Sequence, residues 1–229
     1  MIERPSPNYN DRPAGKAVSM LVLHYTGMRD AEAALKRLTD PEAQVSSHYL
    51  IDEAGKVYRL VDEQRRAWHA GVSFWAGERD INGVSIGIEL VNPGHDFGYR
   101  PFPDAQITAL IDLSRGILSR HSIPASRVLG HSDVAPARKI DPGELFDWQR
   151  LAKAGIGRWP LPAKGPADAG SVRAALSTIG YEVSAEGAKD KITKQSLAAF
   201  QRHFRPAKID GIADEQTCGM LYGLLALQV

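Results

Sequence analysis

Cysteine is almost absent from this sequence of 229 residues, and Cys218 stands alone. No intramolecular disulfide can form, and a zinc site built on a cysteine cluster is excluded. Any metal centre has to be assembled from histidine and carboxylate. A surplus of charge is lacking too, with 28 Lys and Arg against 27 Asp and Glu, so no net field draws the chain to nucleic acid or an anionic membrane. No apolar stretch approaches the ~18 residues of a membrane span. The opening MIERPSPNYNDRPAG holds no apolar run of the ~7–15 residues of a secretory leader. Taken as it stands, the sequence is expected in the cytoplasm; removal of a leader would shift the expectation to the periplasm or cell wall. What is present is ordinary globular usage, 43% hydrophobic and 24% charged, in a length that suits one large domain or a medium one with a small companion.

Gly and Pro fill 7 of the 16 positions from Gly155 to Gly170, a local excess that reads as a connection between domains. The expected division is a catalytic α/β domain over residues 1–160, a linker over 161–170 and a three-helix domain over 171–229. Neither part is basic: charges split 21 to 21 before residue 170 and 7 to 6 after it.

In the first part, the unbroken apolar run Met20 to Leu23 suits a strand buried on both faces. A helix is expected at Asp30 to Leu38, a hairpin from Ser47 to Ile51 and Val57 to Val61, a strand at Arg127 to Leu129 and a helix over Glu144 to Lys153. Ser85 to Val91 alternates, with Ile86, Ile88 and Leu90 on the core side and Ser85, Gly87 and Glu89 opposite. Asp104 is placed to cap a helix carrying Ile107, Leu110, Ile111, Ile117 and Leu118. The result is a mixed central sheet flanked by helices. The tail reads as helices at Val172 to Ile179, Thr193 to Phe204 and Asp214 to Leu227, marginal alone and therefore a satellite of the larger domain or a tethered module.

Of seven histidines, His24 ends the first buried strand and His131 follows Val128-Leu129-Gly130, so parallel strands would bring both to one sheet edge. Asp141, ten residues on in HSDVAPARKIDPG, lies in a loop of turn formers that can fold back on His131. Two histidines and a carboxylate leave a zinc ion one open position, lowering the pKa of bound water to ~7 and polarising a carbonyl, as amide hydrolysis requires. Taken singly, each histidine is most simply a strand-end residue with a hydrogen-bond partner. Glu89, with Gly87 beside it leaving room for a substrate, is either a general base, a role worth ~10²–10⁴ in rate, or part of a solvated strand face. In an extended segment Lys139 leaves on the same side as Asp141, where its ammonium could stabilise an oxyanion, and Arg138 points away. Alone, Arg138-Lys139 is an ordinary solvated pair.

The ordered motifs VLHYTG (His24), SSHYLID (His48), WHAG (His69), SIGIELVN (Glu89) and GHSDVAPARKIDPG (His131 to Asp141) resemble the zinc-dependent N-acetylmuramoyl-L-alanine amidases of the type-2 amidase family. The resemblance implies the amidase/peptidoglycan-recognition-like fold and one Zn²⁺ per chain on His24, His131 and Asp141. It also implies Glu89 as the catalytic carboxylate, Lys139 as transition-state stabiliser, and peptidoglycan or a muropeptide as substrate. His48 then reads as structural and His69 as a substrate-binding, cleft-lining residue, while Asp80 stands where some cytosolic members carry a substrate-binding Arg. In the tail, VRAALSTIGYEV, SLAAFQRHF and IDGIADEQTCGMLYGLL resemble a three-helix peptidoglycan-binding domain, less well across AEGAKDK. The rival expectations are a non-catalytic peptidoglycan-recognition protein, whose non-cutting forms lack part of the metal set retained here, and a zinc peptidase acting inside the stem peptide.

Overall fold

The computed structural model describes residues 1–184 and 191–227; AEGAKD, where the tail resemblance weakens, lies outside them. Strands β1 (Ile2–Glu3), β2 (Tyr9–Asp11), β3 (Met20–Tyr25), β4 (Tyr49–Ile51), β5 (Val57–Arg59), β6 (Arg65–Ala67), β7 (Ser85–Leu90) and β8 (Val128–Gly130) alternate with helices. These are α1 (Ala31–Thr39), α2 (Ile81–Val84), α3 (Gly94–Phe97), α4 (Asp104–Arg120), α5 (His131–Val134) and α6 (Trp148–Lys153), followed by α7 (Ala169–Ile179), α8 (Lys191–Phe204) and α9 (Glu215–Ala226). The main sheet has the order β1-β5-β4-β7-β3-β8. Strands β4, β7, β3 and the edge strand β8 run parallel, and β5 pairs antiparallel with β4. A separate antiparallel pair joins β2 to β6.

Register explains why MLVLH is buried throughout. Leu21 and Leu23 face the same way as their partners Ile86 and Ile88, and with Leu110 and Ile117 of α4 they form one core. Met20 and Val22 face the opposite way, into a second cluster completed by Val172, Leu176, Phe200 and Leu221 of the tail helices. The small helical unit is thus the cover for one sheet face. It is fastened by a main-chain bond from Ala76 N to Gly180 O (2.8 Å), while Ala163 N of the connecting segment bonds Gly219 O (2.9 Å). The Tyr181 ring also sits edge-on to Trp75, 4.8 Å between centroids.

Three expectations are corrected. Asp104 opens α4 as its first residue and caps nothing, the N-cap being Pro103. The last helix of the first part starts at Trp148, capped by Asp147, whose carboxylate accepts from Arg150 N; residues before it turn so that the Phe146 ring meets Trp148 edge-on, 4.7 Å between centroids. The Ser85/Gly87 side of β7 is as buried as its apolar side, because the WHAG segment and the tail lie over that face. No helix among the described residues is long and apolar enough to cross a membrane.

Candidate active site

The carboxyl ends of parallel strands are where α/β sheets open to ligands, and here three such ends meet. His24 lies near the end of β3, opposite Glu89 of β7 in register. His131 begins α5 immediately after β8. Asp141 is returned to it by a main-chain bond from Ser132 N to Asp141 O (2.9 Å). The result is a buried cluster with His24 Nδ1, His131 Nδ1 and Asp141 Oδ2 at mutual distances of 3.0, 3.1 and 3.0 Å. Each residue is at most 6% exposed.

His131 Nε2 faces the carbonyl oxygen of Ala70 at 3.1 Å, so that nitrogen carries a proton, and in the neutral ring Nδ1 is the one with the lone pair. Burial, then the neighbouring His131, lower the His24 imidazole to about 4 against the pull of Asp141. Burial opposes the charge of Asp141, but the two imidazoles outweigh it and hold the carboxyl well below the usual range. Two imidazole nitrogens and a carboxylate oxygen therefore converge on one spot, an arrangement that suits a cation. Ligands ~2.0–2.1 Å from a tetrahedral zinc stand about 3.3 Å apart, close to the spacing here. The residues fit the metal.

The cluster forms the floor of a cleft of about 530 Å³ whose lining includes Glu89, Lys139, Arg37 and Arg138. Burial, then the charge of Asp141, raise the Glu89 carboxyl well above its usual value, with Lys139 pulling the other way. Its Oε2 is buried and finds no hydrogen-bond partner. Lys139 is half-buried. The segment carrying it is turned, with Arg138 N and Lys139 N both bonded to Ala135 O. Arg138 consequently does not point away: its guanidinium lines the cleft and donates to the carbonyls of Ala70 and Val72.

His69, read from the sequence as cleft-lining, does border the cleft, yet it is only 6% exposed and both ring nitrogens have protein partners. The room expected beside Gly87 is filled by this ring, since a Cβ on Gly87 would lie 2.6 Å from it. His48 is buried in the sheet, accepting from Gly87 N at 3.0 Å. Asp80 caps α2 and pairs with Arg66 at 2.7 Å. Sequence reasoning passed over Ser85 and Asn82, although two small residues on one face of a central strand, Ser85 and Gly87, signal that another side chain must fill the space above them.

A family model described as N-acetylmuramoyl-L-alanine amidase matches residues 14–144, more than half of the chain. The chain belongs to this amidase family. Residues 166–221 match a second model, described as a putative peptidoglycan binding domain. The N-acetylmuramoyl-L-alanine amidase AmiD of Escherichia coli K12 is 41% identical over 231 residues, covering 91% of this amidase and 82% of AmiD. The solved complex of AmiD with anhydro-N-acetylmuramic acid-L-Ala-D-γ-Glu-L-Lys superposes with a TM-score of 0.83 at 38% identity, covering 94% and 92% of the two chains. AmpDh3 of Pseudomonas aeruginosa, solved with anhydromuramic pentapeptide, gives 0.86 at 37% identity and 94% of both chains. The likeness to AmiD and AmpDh3 thus runs through the tail as well as the sheet.

Proposed function

We propose that this family member is a zinc-dependent N-acetylmuramoyl-L-alanine amidase. It cleaves the amide between N-acetylmuramic acid, or its anhydro form, and the L-alanine of the stem peptide. The observation that carries the reading is the donor set, three buried lone pairs 3.0–3.1 Å apart beside a carboxylate oxygen without a partner. His24, His131 and Asp141 hold the ion, which when bound supplies Lewis acidity to a carbonyl and lowers the pKa of water to ~7. The chain's own groups do the rest. Glu89, whose raised proton affinity suits a group that must take and return a proton near neutral pH, accepts the proton of the attacking water and delivers it to the departing alanine nitrogen. Lys139 sets its ammonium beside the oxyanion that develops on the carbonyl oxygen.

The muropeptide reading draws on the relatives solved with anhydromuramyl peptides, and the cationic Arg37 and Arg138 of the cleft suit a substrate rich in carboxylates. Residues 1–160 form the catalytic unit, 161–170 the connection and 171–229 a wall-binding unit docked on it. Rates on intact sacculus against soluble anhydro-muropeptide, with fractionation of the native protein, decide whether it works at the wall or in the cytoplasm. For the chemistry, the expected result is one zinc per chain, lost in His24→Ala, and a Glu89→Ala protein that keeps zinc but loses ~10²–10⁴ in turnover. Mass spectrometry should find muramyl sugar free of peptide. Cleavage inside the peptide, or an active metal-free Glu89→Ala protein, would sink the reading.

A further inference from the structure

The mechanism above leaves the WHAG segment unused, although it touches both metal-binding histidines. Ser85 Oγ is 2.6 Å from the carbonyl oxygen of Ile81 and must spend its only proton there, so toward His69 Nε2, at 3.0 Å, it can only accept. His69 therefore carries its proton on Nε2. Its Nδ1 is an acceptor, and the group 3.0 Å away, His24 Nε2, is the donor. That leaves His24 Nδ1 bare, the state a ligand nitrogen needs. The next residue does the same for the second ligand, since the carbonyl oxygen of Ala70 accepts from His131 Nε2 at 3.1 Å.

The two residues are themselves clamped. Asn82 Oδ1 accepts from the backbone N–H of both His69 (3.1 Å) and Ala70 (2.8 Å). Gly87 has no Cβ, and any would overlap the His69 ring. We propose that His69-Ala70, clamped by Asn82 and Ser85, sets the tautomers of the metal centre: it holds the proton on Nε2 of both His24 and His131 and so presents both Nδ1 atoms to one ion. His69 is on this view a positioning residue and not a substrate contact. Outer partners of ligating histidines fix ring and tautomer in this way in metal sites generally, and losing one costs ~10–100-fold in metal affinity.

The inference rests on the zinc reading, and the experiment separates the two. Zinc affinity is measured by chelator competition on the full chain for wild type, His69→Phe, His69→Gln and Ser85→Ala, and the His24 tautomer is read from ¹⁵N shifts of the metal-free proteins. His69→Phe should bind zinc ~10–100-fold more weakly and show His24 in mixed tautomers. Ser85→Ala, which touches no ligand and leaves the fold least disturbed, should move the same way by a smaller factor. His69→Gln should recover most of the loss, because its carboxamide can accept from His24 and donate to Ser85. At saturating zinc KM should stay at the wild-type value. Unchanged zinc affinity and tautomer in folded His69→Phe and Ser85→Ala, or a rise in KM as the only effect, overturns the inference while leaving the zinc reading intact. Wild-type protein that binds no zinc, or binds it equally well after His24→Ala, overturns both.

Discussion

Replacing Tyr181 with phenylalanine removes one proton donor from a carboxylate that water cannot reach. Asp133, in α5 two residues past His131, has a fully buried side chain. Its oxygens accept from Tyr181 Oη at 2.6 Å, His203 Nδ1 at 2.7 Å and Gly130 N at 2.8 Å, and two of these three donors belong to the tail. A hydrogen bond to a buried charge contributes ~1.5–3 kcal/mol, and a chain of this length loses ~2–4 °C in Tm per kcal/mol. Tyr181→Phe should therefore lower the Tm of the zinc-saturated protein by roughly 3–12 °C. Because the tail and the sheet share a core, calorimetry should show one transition that moves as a whole. With Asp133→Asn already in place the same change should cost about 1 kcal/mol less, the acceptor being neutral. Two resolved transitions, of which Tyr181→Phe shifts only one, or an equal cost in both backgrounds, would refute the argument.

Acid should act through Glu63, whose carboxylate accepts from Tyr49 Oη, Arg120 Nη2 and His121 Nε2, each at 2.7 Å. Burial raises this carboxyl, but the hydrogen bonds from Arg120, Tyr49 and His121 outweigh it and hold it at about 2. The folded value lies below the unfolded one of ~4.3, so its stabilisation is complete above that pH and is lost as pH falls toward 2. Urea titrations should show Glu63→Gln on the order of 2 kcal/mol less stable at pH 6 with a flatter acid limb. Gln201→Leu should cost ~2–4 kcal/mol in the same assay, since its carboxamide accepts from Asp210 N and Gly211 N and donates to Ile212 O. Gly87→Ala, which touches no ligand but drives a methyl into the His69 ring, should weaken zinc binding ~10-fold or more in chelator competition.

Much of this site is legible from residue type alone, because few side chains can ligate a metal and their strand-end positions are marked by apolar runs such as MLVL. In the tail, Gln201 of SLAAFQRHF and the Asp210-Gly211 turn of IDGIADEQT are likewise connected by one physical fact, the Gln201 carboxamide stapling that turn. The tautomer clamp is harder to read, since it depends on register. Ser85, Gly87 and Glu89 share a face with His24 only once β7 is paired with β3, and Ala70 acts through its backbone, to which sequence pattern is blind. The extended reading of residues 138–141 fails for a related reason: Ala135 O captures two N–H groups and turns the segment, carrying Arg138 inward. Short edge strands such as β1 and β2 carry no periodicity to detect.

The shared core also sets an order of events at the ribosome. Met20 and Val22 emerge early, yet the residues that cover them, among them Phe200 and Leu221, follow roughly 180–200 residues later, a delay of about 10–40 s at ordinary synthesis rates. Until then that face of the nascent sheet is covered only in part, by residues such as Ala70 and Ile81. The helical tail, whatever it binds in the finished enzyme, is the last piece needed to make the sheet safe from its neighbours.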